Sequence, residues 1–278
     1  MRTVTIDLPW TSRIRLVFLG DEHVGHIACQ EGLLKDCIGA VMADDAAYII
    51  GLGDAIDAIN MQDKRFNPGE LAPWMSVADL VDIAKAETQR YADIVRPAKD
   101  RILARLSGNH EDTLSRIFER DVYGSINDAL DIPQERRLGI DGFVRLRIGD
   151  TRGETYQHPN RSRRGGSRQA WTVTCYVHHG YAGGRLAGAK ALALGRLPAA
   201  FRADIYAMGH SHTKVTMPGM VVTADGPQQL AMVNSGSFLK AYAEGSETYA
   251  ERKGYYPQDL GPVEVWLYPE ERKMRMIA

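Results

Sequence analysis

The chain has 278 residues, with 34 Lys+Arg against 35 Asp+Glu and a formal net charge of −1. An apolar fraction of 44%, a charged fraction of 25%, and 27 Gly with 12 Pro are ordinary globular values and exclude a disordered or collagen-like chain. The near-neutral balance excludes a protein that coats nucleic acid along its whole surface, though not one that acts on it at a local site. Near the start, Thr11, Ser12, Arg13 and Arg15 interrupt the first apolar stretch, so no signal-peptide core is expected. Ile14–Leu19 reads as a buried strand ending at Gly20-Asp21, and Glu31–Ala43 has helical spacing with Leu33, Leu34, Cys37, Ile38 and Val41 on one side. Ala47–Leu52 is a second apolar run, again followed by Gly-Asp. After the turn-rich stretch Asn60–Pro73, Val77–Val95 reads as one long amphipathic helix closed by Pro97. Ile102–Leu106 is a third strand, running into Ser107-Gly108-Asn109-His110. This alternation of strand and helix predicts an α/β sheet with parallel pairings.

The second half is richer in strands, at Gly142–Ile148, Trp171–Val177, Ala203–Met208, Val215–Val222, Gln229–Val233 and Val263–Leu267. A polar, Gly-rich and basic stretch at 150–168 reads as a hairpin or loop. The expected organisation is a single domain over 1–278, with a loop-helix excursion at 58–98. Arg185, Lys190 and Arg196 interrupt the Ala/Gly-rich segment Ala182–Ala200, so no membrane span is expected. Cys29, Cys37 and Cys175 make no CxxC pair, which fits a reducing cytoplasm and argues against a thiolate zinc site.

Open α/β sheets place ligands at the carboxyl ends of their strands. Each early strand of this chain ends in metal-capable groups: Asp21-Glu22-His23, then Gly53-Asp54 with Asp57, then Asn109-His110-Glu111. The later strands lead into His178-His179-Gly180 and Gly209-His210-Ser211-His212. The chain has 8 histidines, and His23, His110, His178, His179, His210 and His212 all fall at these ends. His26 and His158 read as solvated loop residues. Imidazole, carboxylate and amide oxygen without thiolate suit Mn²⁺, Fe or Zn²⁺, and a carboxylate shared by two such ions is the pattern of a two-metal hydrolytic centre.

The ordered set D-x-H, G-D-x-x-D, G-N-H-E, H-H-G and G-H-x-H resembles the calcineurin-like metallophosphoesterase family. The matching blocks run from Asp21 to His212, and Val233–Ser237 resembles the strand that follows, so most of the chain is covered. The resemblance implies two stacked mixed β-sheets flanked by helices, a four-layer sandwich with the dimetal site at the strand ends. It implies that Asp21, His23 and His212 hold one metal, that Asn109, His178 and His210 hold the other, and that Asp54 bridges both. Of the two adjacent histidines it favours His178, because related H-Q-G sites use the first position, leaving His179 to pack or support. His110 would face the scissile phosphate, and Asp57 matches a carboxylate that pairs with that histidine in the phosphoprotein-phosphatase branch. The implied cofactors are two divalent ions, Mn²⁺ foremost, with a metal-bridging hydroxide as nucleophile.

Asp21-x-His23 followed by Val24-Gly25, together with H-H-G, looks closer to the nuclease and nucleotide-pyrophosphohydrolase branches than to the phosphoprotein phosphatases, which carry Arg where this chain has Ala58. A phosphodiesterase acting on a nucleotide or nucleic acid is therefore expected, with a phosphomonoesterase or a non-catalytic scaffold of the same fold as alternatives. Arg65 can reach toward the site from the loop after G-D-x-x-D. Arg163 and Arg164, in the basic tract 161–168, offer guanidinium forks to a phosphate backbone, or else form a solvated hairpin tip.

Overall fold

A computed structural model describes residues 1–149, 170–181, 186–224, 226–242, 251, 254 and 256–278. The first half runs β1 (Arg2–Leu8), β2 (Ile14–Leu19), α1 (Glu31–Met42), β3 (Ala47–Gly51), α2 (Ile83–Val95), β4 (Ile102–Leu106), α3 (Asn109–Phe118), α4 (Val122–Ala129) and β5 (Arg137–Gly139). The second runs β6 (Asp141–Gly149), β7 (Ala170–His178), α5 (Ala187–Ala200), β8 (Ile205–Met208), β9 (Val215–Thr223), β10 (Gly226–Asn234), β11 (Val263–Tyr268) and β12 (Lys273–Ile277). These strands build two six-stranded mixed sheets, in the orders β12-β11-β2-β3-β4-β5 and β1-β6-β7-β8-β10-β9. In the first sheet β2, β3, β4 and β5 pair in parallel while β11 lies antiparallel to β2; in the second, β7, β8 and β10 are parallel neighbours.

Side-chain alternation explains why the sheets stack. Leu16 and Phe18 point one way from β2 and join Ile50, Leu106, Leu146, Val173, Val177, Ile205 and Val233 in the core between the sheets. Val17 and Leu19 point the other way, where Ile49 and the helix residues Leu34, Ile38, Tyr91 and Val95 cover them. On the far side of the second sheet, Tyr176, Tyr206 and Met208 receive Leu194 and Leu197 of α5. Strands buried on both faces read as unbroken apolar runs, which is why β2, β3 and β4 stand out in the sequence. The result is the four-layer arrangement of helices, sheet, sheet and helix that the motif resemblance implied.

Three expectations change. His26, expected as a solvated loop residue, is buried, and its Nδ1 accepts the Ala28 N–H. The helix expected over 77–95 is broken: Val77–Val81 is a 3₁₀ turn opened by a Ser76–Asp79 capping box, and α2 starts afresh after Asp82. Asp82 leaves the helical conformation and its side chain accepts the N–H of Lys85, so two local caps outcompete one continuous helix. Strands β1, β5 and β12 are not among the expected strands, being partly exposed edges with polar residues interleaved. The hairpin or loop expected at 150–168 lies outside the described residues. Among the described residues no helix is long and apolar enough to cross a membrane.

Candidate metal centre

The parallel strands of both sheets deliver their carboxyl ends to one edge of the sandwich. From the first sheet come the turns after β2, β3 and β4, and the first two are tied together by main-chain bonds. Asp21 N–H donates to Gly53 O (2.9 Å), His23 N–H to Asp54 O (3.1 Å) and Val24 N–H to Ala55 O (3.1 Å). From the second sheet come the turns after β7 and β8, joined by Gly209 N–H to His179 O (2.9 Å). Bonds also cross between the two sets, among them His210 N–H to Asp21 Oδ2 at 2.8 Å.

These turns are sharply bent. Asp21, His23, Asp54, His210 and His212 all have positive φ, between 47° and 67°. Such a conformation is uncommon outside glycine and costs on the order of 1 kcal/mol or more per residue, so surrounding bonds must hold it. The neighbours leave no slack: a Cβ on Gly108 would lie 2.0 Å from Asp54 Oδ1, and one on Gly180 (φ +125°) would lie 2.6 Å from His210 Cβ.

Among the described residues three groups of ligand-capable atoms converge as a result, the third being His23, Asp57 and His110. In the first, His23 Nε2 faces His212 Nε2 at 3.2 Å, and Asp21 Oδ1 lies 3.6 Å from His212 Nε2. In the second, Asn109 Oδ1 lies 2.7 Å from His210 Nδ1 and 3.0 Å from His179 Nε2. Asp54 stands between them, its Oδ2 being 3.9 Å from His23 Nε2 and 3.4 Å from His179 Nε2. Its other oxygen, Oδ1, accepts the main-chain N–H of His110 at 2.9 Å. His110 is beside the first group, with its ring centroid 4.6 Å from that of His23 and Nδ1 2.5 Å from the carbonyl of Asp57. Asp57 Oδ1 is 3.6 Å from His23 Nδ1 and 3.8 Å from His110 Nδ1.

The donor chemistry fits a pair of divalent cations. Asp21 Oδ1 and His23 Nδ1 are buried without a hydrogen-bond partner, and ring nitrogens face one another or an amide oxygen at contact distance. Burial alone would push Asp54 up, yet the charges of His110 and His179 hold it well below the usual carboxylate range. Burial would pull His179 down, yet Asp54 and Asp21 outweigh it and push the imidazole up to about 10. His212 is driven well below its ordinary value by burial and by the neighbouring His23, leaving a neutral ring with a lone pair to offer. A centre with this pattern calls for positive charge, and N and O donors without thiolate suit Mn²⁺, Fe or Zn²⁺.

Of the expected site residues, Asp21, His23, Asp54, Asp57, Asn109, His110, His210 and His212 are brought together. His178 is not, and the expectation that it joins the second group is corrected by the position of His179. His178 is the last residue of β7, opposite Asp141; its Nδ1 accepts the Gly180 N–H and its ring packs edge-on to Tyr181. His179 lies one residue beyond, where side-chain alternation turns it to the opposite face, and its Nδ1 meets the Leu52 carbonyl at 2.8 Å, so Nε2 faces Asn109. Arg65 is exposed and forks onto Asp63, with Nη2 to Oδ2 at 2.7 Å, close enough to His110 to oppose its protonation. Arg163 and Arg164 lie outside the described residues.

Three supports escaped the sequence reading. Glu111 accepts the N–H groups of Ala55 (2.7 Å), Gly108 (2.8 Å) and Asp54 (3.1 Å), so one carboxylate clasps two ligand-bearing turns. Lys190 of α5 is buried and donates to Ser211 O and Thr213 Oγ1, bracing the His210–His212 turn. Asn234 does the same from β10, donating to Ser211 Oγ and Thr213 O. Glu111 had a signal in the G-N-H-E block and Asn234 in the Val233–Ser237 block, whereas Lys190 contacts that turn only through tertiary packing.

No family model and no curated protein matches this chain. Solved structures similar to it include the NAD nucleotidase of Haemophilus influenzae, with a TM-score of 0.41 and 10% identity over 96% of this chain. The chain spans about half, 49%, of that nucleotidase chain. A metallophosphoesterase from Sphaerobacter thermophilus has a TM-score of 0.37 and 11% identity, covering 95% of this chain and 87% of that one. Vps29 of Entamoeba histolytica, solved with Zn²⁺, has a TM-score of 0.35 and 11% identity, covering 95% of this chain and 97% of that one.

Proposed function

We propose that this protein is a metal-dependent phosphoester hydrolase, acting as a phosphodiesterase on a nucleotide or nucleic acid. One arrangement supports the reading: two groups of N and O donors meet at Asp54 Oδ2, with His110 beside them. Asp21, His23 and His212 would hold one divalent cation and Asn109, His179 and His210 the other, with Asp54 shared. When bound, such a pair supplies an activated water and charge neutralisation for an in-line displacement at phosphorus.

The remaining work falls to side chains of this chain. The His110 N–H fixes Asp54 Oδ1, which leaves Oδ2 aimed between the two groups. The bond from His110 Nδ1 to the Asp57 carbonyl requires a hydrogen on Nδ1, so Nε2 is the atom that gains and gives a proton. Burial pulls the His110 ring down, but the charges of Asp54 and Asp57 outweigh it and raise its proton affinity, which suits a general acid that protonates the leaving oxygen. Arg65 would grip a substrate phosphate by exchanging its fork from Asp63.

The test is hydrolysis after chelation and after return of Mn²⁺, Fe²⁺ or Zn²⁺, on mono- and diester model substrates, cyclic nucleotides, and single- and double-stranded DNA. Chelation should abolish turnover and Mn²⁺ should restore it, with diesters preferred over monoesters. Full activity in protein verified to be metal-free would overturn the dimetal reading, and a preference for monoesters would overturn the diesterase assignment.

A further inference from the structure

One buried carboxylate enters that scheme only by its charge near His110. Asp57 is 8% exposed, and its Oδ1 is almost equidistant from two imidazoles, 3.6 Å from His23 Nδ1 and 3.8 Å from His110 Nδ1. The motif resemblance pairs it with His110. The local chemistry separates the two candidates. His110 Nδ1 is already committed at 2.5 Å to a carbonyl, the main chain of Asp57 itself, and a carbonyl can only accept. Its orientation therefore depends on the Asp57 backbone and not on the side chain.

His23 is in the opposite position. Its Nε2 points into the first ligand group, facing His212 Nε2, while its Nδ1 is buried without a hydrogen-bond partner. An imidazole that gives the Nε2 lone pair to a cation must carry its hydrogen on Nδ1, and a buried N–H requires an acceptor. The Asp57 carboxylate is the acidic group that stands there. We infer that the Asp57 side chain is the positioning residue of His23: it accepts the Nδ1–H, locks the tautomer whose Nε2 faces Asp21 and His212, and makes that ring a stronger ligand. Carboxylate–histidine pairs of this kind set ligand orientation and basicity in metal sites, and losing the carboxylate lowers metal affinity about 10- to 100-fold. Asp57 thus belongs to the first cation's site, and its carboxylate orients His23 and not His110.

This inference rests on reading the cluster as a two-cation site, and metal binding alone tests it. Chelated wild type, Asp57→Asn, His110→Asn and the double variant are titrated with Mn²⁺ only, following free and bound Mn²⁺ by electron paramagnetic resonance. Asp57→Asn keeps the backbone carbonyl, so the His110 anchor survives the change. The wild type should bind two equivalents. Asp57→Asn should weaken one of them about 10- to 100-fold and leave the other intact, which also shows that the variant is folded. His110→Asn should leave both intact, and the double variant should match Asp57→Asn. Wild-type affinity at both sites in Asp57→Asn would overturn the inference, and so would loss of both sites together, which marks a general structural role. A wild type that binds no Mn²⁺ would instead overturn the reading of the cluster as a metal centre.

Discussion

At the scale of single residues, the centre turns on which atom of a ring faces inward. His178 and His179 are adjacent and chemically identical, yet one packs against Tyr181 while the other has Nε2 3.0 Å from Asn109 Oδ1. Their difference follows from the end of β7, where consecutive side chains fall on opposite faces. His179→Ala should therefore lose one equivalent of metal by elemental analysis, and His178→Ala should keep both. His110→Asn separates ligation from chemistry: it should keep both metals while kcat falls about 100-fold or more, the scale of a lost general acid or charge-stabilising donor. A His110→Asn protein with unchanged kcat would remove that residue from the reaction. The motif blocks made the set of candidates legible, but the choice within H-H-G depends on which face of the strand points at Asn109, and no spacing encodes that.

At the scale of elements, α3 serves the site through its first turn. Asn109 and His110 open the helix, and Glu111 turns back to accept N–H groups from Ala55, Gly108 and Asp54. A glutamine at 111 has one carbonyl oxygen, so its amide nitrogen must confront at least one N–H that the second carboxylate oxygen now accepts. Glu111→Gln should cost about 1–3 kcal/mol in urea unfolding, the range for a buried group left unpaired. It should also lower metal occupancy, because the bent turns at Asp54 and Asn109 lose their common clasp. Unchanged stability and occupancy would reduce Glu111 to an ordinary helix-start residue. Element positions were legible where burial on both faces makes an apolar run, as in β2, β3 and β4. They were not legible at Asp82, where a capping side chain breaks what periodicity alone reads as one helix.

At the scale of the molecule, the centre lies across the seam between the sheets: Asp21, His23, Asp54 and Asn109 come from one, and His179, His210 and His212 from the other. A cation held from both sides would act as a staple, and binding to the folded state alone stabilises it by about 2.7 kcal/mol per site at a free concentration of 100 Kd. Mn²⁺ should accordingly raise Tm by several degrees in a thermal melt, by a smaller amount in His212→Ala, and not at all if the two groups do not bind metal. What the sequence determined by itself was the chemistry and its order along the chain. Apolar runs buried on both faces mark the central strands, and the groups just past them are metal-capable because strand ends in such sheets are where ligands gather. The tertiary structure decided which of those groups meet. Convergence at Asp54 depends on how two sheets stack, on positive-φ turns at Asp21, His23, His210 and His212, and on supports such as Lys190 and Asn234 that reach the turns from elsewhere in the fold. These are contacts between residues far apart in sequence, and their geometry is set by packing and main-chain hydrogen bonds, which local composition does not record.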